Sequence, residues 1–164
     1  MVIFSHGQES GPWGTKIRAM SEVVKHCEYN FNSIDYQGIS EPADRVKKLI
    51  HECSEINESI ILVGSSMGGH VSTAAAQTVN AKGLFVLAPA YFMEDYEDLT
   101  PPPPKIPICI IHGWHDDVVP VENSIRYAKE CSAMLHLING DHRLTDNIDQ
   151  INVILRDFLL SFTQ

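Results

Sequence analysis

The stretch Ile60-Ile61-Leu62-Val63-Gly64-Ser65-Ser66-Met67-Gly68-Gly69 decides how this chain is read. Four apolar residues in a row, closed by glycine, predict a short strand covered on both faces. Residues 67–79 are rich in alanine and predict a helix. Between the two stands a Gly-x-Ser-x-Gly pattern at a strand-to-helix turn, the sequence form of a nucleophile elbow. A serine at the apex of so tight a turn has strained backbone angles and needs small residues two positions to either side. Gly64 and Gly68 supply them, and Gly69 adds room. The turn lifts the Ser66 hydroxyl above the sheet edge. It also leaves the Met67 amide free at a helix N-terminus, where it can meet a developing oxyanion. A serine hydrolase is the leading reading.

Outward from this turn, strand-like and helix-like segments alternate. Apolar runs at 2–5, 29–36, 60–63, 83–88, 106–112 and 134–138 predict six strands. Helices are expected at about 13–26, 42–55, 67–79, 124–130 and 148–160. Ile17, Met20, Val23 and Val24 form an apolar stripe on the first, and Val46, Leu49, Ile50 and Cys53 on the second. In the last helix Ile151, Ile154, Leu155 and Phe158 point inward. Such alternation implies an α/β fold of three layers, a doubly wound and mostly parallel six-stranded sheet, in one domain over residues 1–164. No inserted cap is expected. Residues 89–105, with the run Pro101-Pro102-Pro103-Pro104, read as an extended spacer and as the one stretch able to cover part of a site.

The bulk properties exclude several classes. Among 164 residues, 21 acidic side chains against 12 basic ones leave a formal charge of −9. Nucleic acid and anionic membrane both call for a basic face, so neither is an expected partner. No apolar run approaches a membrane span, and the residues after Met1 lack the basic start of a signal peptide. Cys27, Cys53, Cys109 and Cys131 are far apart and fall in or beside periodic segments. Reduced thiols and a cytoplasmic location are the expectation.

Open α/β sheets bind ligands beyond the carboxyl ends of their strands. The candidate polar groups all fall at such ends: His6-Gly7-Gln8, Ser66, the run His112 to Pro120, and Gly140-Asp141-His142. Ser66 would attack an acyl carbonyl, with His142 as general base and then acid. An aspartate would fix the His142 tautomer, and Asp116, Asp117, Asp141 and Asp146 compete for that place. His6, His112 and His115 lack the spacing of a zinc site, and packing is the simpler role for His70. Trp114, Tyr91, Phe92 and Met93 could line a substrate pocket or plug the top of the sheet.

With these motifs assembled, the chain resembles the α/β-hydrolase superfamily over nearly its whole length, in particular its small cap-less esterases. Members place an oxyanion amide after a His-Gly pair, here His6-Gly7, which implies Gln8 beside Met67. Their His-Gly-x-x-Asp-x-x-Val-Pro pattern selects Asp116, and a base after a late glycine matches His142. The run Asp141-His142-Arg143-Leu144-Thr145-Asp146 is similar to small bacterial esterase-like proteins. The resemblance implies a truncated core that starts at the usual third strand, with sheet order 2-1-3-4-5-6.

The resulting expectation is a serine hydrolase for small carboxylic esters or thioesters, working without metal or cofactor. A small-peptide or amide hydrolase would use the same triad. A binding protein that had lost catalysis would not need all three residues.

Overall fold

The computed structural model describes residues 1–163. In chain order the elements are β1 (Val2–Ser5), α1 (Thr15–His26), β2 (Phe31–Ile34), α2 (Pro42–Cys53), β3 (Ile61–Ser65), α3 (Met67–Ala75), β4 (Gly83–Leu87), β5 (Ile108–Gly113), α4 (Val121–Cys131), β6 (Met134–Ile138) and α5 (Ile148–Leu160). Single 3₁₀ turns occupy Glu97–Leu99 and Thr145–Asn147. Among the described residues the strands form one sheet of six, in the order β2-β1-β3-β4-β5-β6, and every neighbouring pair is parallel. This is the expected α/β-hydrolase arrangement, and no cap domain is inserted among those residues.

Side chains alternate across the strands with period two and so feed two separate cores. Val2, Phe4, Ile61, Val63 and Phe85 face α1 and α5, where Met20, Val24, Leu155 and Phe158 meet them. Ile3, Leu62, Leu84, Val86 and Ile110 face α2, α3 and α4, against Leu49, Val71, Ala75 and Tyr127. The register sets β3 in the middle, with Val2 opposite Ile61 and Ile61 opposite Gly83.

Three boundaries differ from expectation for local reasons. β2 is confined to Phe31–Ile34, because the Tyr29 amide goes to the Val24 carbonyl at the end of α1 and the Tyr36 amide goes to His6 Nε2. Pro120 occupies the cap of α4, so that helix begins at Val121 rather than at 124. The alanine-rich run leaves the α-helix after Ala75, where the Ala76 amide bonds back only three residues to Thr73.

The stripe of α2 is also rotated. Its buried residues are Arg45, Leu49 and Cys53, while Val46 and Ile50 are only partly covered. A guanidinium thus occupies a position that belongs to the core. All four cysteines are free thiols. No helix among the described residues is long and apolar enough to cross a membrane.

Candidate active site

β3 ends at Ser65, α3 starts at Met67, and Ser66 makes the turn at φ 54°, ψ −120°. A non-glycine residue in this region stores roughly 1–3 kcal/mol of strain. The neighbouring glycines make the turn possible. A Cβ on Gly64 would strike the Gly68 carbonyl, and a Cβ on Gly68 would strike the Ser5 carbonyl. The Ser66 amide donates to the Leu87 carbonyl at 2.9 Å, and the Ser66 carbonyl accepts from Gly69 and Ala90. Met67 opens the helix, so its amide has no acceptor within α3.

The Ser66 hydroxyl lies 3.1 Å from His142 Nε2, and His142 Nδ1 lies 2.7 Å from Asp116 Oδ2. The network assigns the tautomer: Nδ1–H donates to the carboxylate, which leaves Nε2 to accept from the hydroxyl. Residues separated by 50 and 26 positions in sequence are brought into one chain of hydrogen bonds. Asp117, Asp141 and Asp146 are not part of it. Asp117 is exposed, and Asp141 accepts from the Leu144 amide at 2.9 Å.

Asp116 is the most heavily supported group in the region. Its Oδ1 accepts the amides of Val118 and Val119 at 2.9 and 2.8 Å. Its Oδ2 lies 2.7 Å from His142 Nδ1 and 3.0 Å from His112 Nε2, and the carboxylate is fully buried. Burial alone would push the carboxyl up. Hydrogen bonds from His142, Val119 and Val118 outweigh that and hold it below the usual carboxylate range.

His112 is itself fully buried on β5, and burial lowers its pKa against the pull of Val119 and Asp116. As a neutral ring it shares Nε2–H between Asp116 and the Val119 carbonyl, and Nδ1 accepts from the Ser124 hydroxyl at 2.7 Å.

On the other side of Ser66, the loop after β1 rests on a second buried network. His6 Nδ1–H donates to the Gly7 carbonyl at 2.7 Å, and His6 Nε2 accepts the Tyr36 amide at 2.9 Å. Arg45 is 2% exposed. Its Nη1 donates to the His6 and Gly7 carbonyls at 3.3 and 3.2 Å, and its Nε to the Ile39 carbonyl at 2.7 Å. The Tyr36 ring lies against the guanidinium, 5.3 Å from centroid to Cζ.

A groove of about 820 Å³ is lined by Ser66 and His142 together with the loop around Gln8, the first turns of α1, and the loops that follow β5 and β6. Lys16 lies in its wall, with Nζ donating to the Ser65 hydroxyl at 3.1 Å. Burial lowers the Lys16 ammonium to about 8, although Asp141 and Asp116 pull it upward.

Of the two roles open to Trp114, Tyr91, Phe92 and Met93, the structure sets aside the pocket and places them away from the groove. Tyr91 is fully buried in the second core, stacked on Tyr127 at 4.0 Å with its hydroxyl 2.6 Å from Thr73. Phe92 lies under Arg126, 3.7 Å from ring centroid to guanidinium. Trp114 is largely exposed, and neither it nor Met93 borders the groove. The 89–105 spacer does not border the groove either. Asn123 ties down the Tyr91 and Phe92 carbonyls, and the Tyr127 hydroxyl ties down Pro101. Aromatic residues in a loop carried no sign of which way the loop folds, and α4 supplied the better partner.

Three supporting side chains escaped the sequence reading. Lys16 has no motif around it. His112 was read as part of a His-Gly pair and weighed as a metal ligand, not as a partner of Asp116. Arg45 had a signal, a cation four residues before Leu49 on an otherwise apolar helix face.

Fold and geometry together define an α/β-hydrolase-fold protein, close in structure to small cap-less esterases and lipases. The model of an uncharacterised protein family, UPF0227, matches residues 1–102, and the chain belongs to that family. Among solved structures, a hydrolase assigned to the alpha/beta superfamily from Xanthomonas campestris superposes with a TM-score of 0.89 at 26% identity, over 98% of both chains. Est1E from Butyrivibrio proteoclasticus superposes at 0.81 with 17% identity, over 98% of this chain and 86% of its own. A bovine mitochondrial protein, the palmitoyl-protein thioesterase ABHD10, is 24% identical over 90% of this chain and 68% of its own length. A hydrolase-type enzyme is the class these likenesses support.

Proposed function

We propose that this protein hydrolyses small carboxylic esters or thioesters through an acyl-enzyme on Ser66, with His142 and Asp116 completing the triad. The observation that carries the reading is the unbroken line from Ser66 Oγ to His142 Nε2 at 3.1 Å and from His142 Nδ1 to Asp116 at 2.7 Å. In that tautomer His142 takes the hydroxyl proton as Oγ attacks the acyl carbon. The amides of Met67 and Gln8 receive the charge that develops on the carbonyl oxygen; one such donor contributes about 3 kcal/mol. Collapse expels an alcohol or thiol protonated by His142. Water, deprotonated by the same ring, then releases the acid and restores Ser66.

The thioester branch draws support from the bovine relative, whose name gives it a palmitoyl-protein thioesterase activity. No step calls for a metal or cofactor.

The test is labelling with a fluorophosphonate, read by intact mass and peptide mapping, on wild type and the Ser66→Ala and His142→Ala variants. One adduct per chain on Ser66, lost in both variants, is expected, along with turnover of short aryl esters and thioesters. Folded wild-type protein that takes no label and turns over neither series would sink the proposal.

A further inference from the structure

Among the described residues the Arg45 side chain is the largest that is fully buried, and it is charged. Among the described residues it forms no ion pair; it is held by three backbone carbonyls and a phenol ring. Stripping water from a guanidinium without a counter-charge is expensive, and an apolar residue at this place on α2 would pack beside Leu49 at lower cost. Two of the three carbonyls belong to consecutive peptides of one loop, those of His6 and Gly7.

Peptide geometry says what is gained. No peptide bond in the described chain is cis, so each amide N–H points opposite to the carbonyl it shares a plane with. Arg45 and His6 Nδ1–H both draw the Gly7 carbonyl into the fold, which turns the Gln8 N–H outward. Arg45 draws in the His6 carbonyl too, which turns the Gly7 N–H the same way. The loop is beside the nucleophile, since a Cβ on Gly7 would come within 3.5 Å of Ser66 Cβ, and Gln8 borders the groove with Ser66. A cation on the carbonyl side of a peptide also polarises it and strengthens its N–H as a donor.

We infer that Arg45 is a positioning residue that locks and polarises the Gly7–Gln8 peptide so that the Gln8 amide is aimed at the oxyanion before substrate arrives. The inference rests on the acyl-enzyme reading of Ser66 and adds what makes the second oxyanion donor rigid. Arg45 does not touch substrate. Its effect is confined to states in which the carbonyl oxygen carries charge.

The experiment compares wild type with Arg45→Met and Arg45→Lys on a short aryl ester. Steady-state kinetics are paired with inhibition by a phenylboronic acid, whose tetrahedral adduct on Ser66 mimics the charged intermediate, and thermal melts check folding. In Arg45→Met, kcat falls about 10- to 100-fold, the scale of a misaimed rather than deleted donor, and KM stays within about twofold. Boronate affinity falls by the same factor as kcat. Arg45→Lys, which keeps the charge but reaches fewer carbonyls, lies between the two and stands in if Arg45→Met does not fold.

A folded variant with wild-type kcat, or one whose loss appears in KM with boronate binding untouched, would overturn the inference and leave the acyl-enzyme reading standing. Wild-type protein without a Ser66 adduct would bring down both.

Discussion

Two buried polar networks flank Ser66, and they are built from opposite materials. Behind β5 a carboxylate, Asp116, is saturated by His142, His112 and two amides. Behind β1 a guanidinium, Arg45, is satisfied by neutral carbonyls. The first network ends on a ring that reaches the serine, so in the proposed reaction its charge would act on the proton passed between them. The second ends on a peptide, so its charge is felt only as the direction and strength of a dipole. Proteins rarely bury a charge unpaired, and under the proposed reading each burial would serve one requirement of acyl transfer.

The comparison predicts a ranking of effects, and Asp116 stands at the top. Hydrogen bonds from His142, Val119 and Val118 outweigh the cost of burial and hold its carboxyl below the usual carboxylate range, so the charge is present throughout neutral pH. Asp116→Asn preserves shape while removing that charge and favouring the wrong His142 tautomer. We expect kcat to fall about 10³- to 10⁴-fold, as for the same change in other triads. A loss no larger than that of Arg45→Met would erase the distinction between the two networks.

His112 tests the same network one step further back. His112→Phe keeps a buried ring but removes the Nε2–H that Asp116 and Val119 share. The carboxylate keeps three of its donors, so its charge remains while its orientation loosens. The expected result is a drop in kcat of about 10- to 100-fold with KM little changed. Ser124→Ala removes only the hydroxyl that fixes the His112 tautomer and should cost about 1 kcal/mol of stability, read by denaturant titration.

The two networks also differ in how much of them could be read from the chain. Ser66, His142 and the six strands announce themselves, because a strained elbow demands glycines and a buried parallel strand demands an apolar run. The sheet order came from the resemblance to small cap-less hydrolases, since βα alternation by itself implies a parallel sheet and leaves the order of its strands open. The supporting charges were harder. Arg45 replaces an apolar residue at one point of a helical stripe, and a single exception to a pattern does not say what it bonds. His112 was hidden inside a strand, where a histidine reads like any half-polar residue. The aromatic loop stayed open between pocket and plug because local sequence cannot express that Asn123 and Tyr127, some thirty residues away, hold it against α4.

Lys16 is a third partly buried charge, placed in the groove wall with one hydrogen bond to Ser65, and it shows what a loosely held charge does. The folded protein gives up this proton near pH 8, while an unfolded chain keeps it to about 10.4. Between those values the unfolded state binds more protons, so this group makes stability rise with pH over that window. Lys16→Met should flatten that rise in thermal melts taken from pH 8 to 10. Carbon-13 methyl labelling of the lysines should give one resonance with a midpoint near 8, absent in the variant. A Lys16 midpoint above 10 would mean that the groove wall is wetter than its packing indicates.

The smallest effect belongs to the control for both networks. The Tyr91 hydroxyl and Thr73 form a buried pair at 2.6 Å on the α4 side of the sheet, comparable in length to the bonds around Asp116, yet outside the hydrogen-bond line to the Ser66 hydroxyl. Tyr91→Phe removes the phenol oxygen and keeps the ring stacked on Tyr127. Thr73 retains its bond to the Gly69 carbonyl, so no new orphan is created. The expected cost is about 1 kcal/mol, a fall in Tm of about 2–4 °C, with kcat and KM unchanged for every ester in an acyl-length series. A change in acyl-length preference would return Tyr91 to the substrate pocket. An unchanged preference with the lowered Tm would show that a buried hydrogen bond near the site is not enough to affect turnover; what matters is whether its far end is aimed at Ser66.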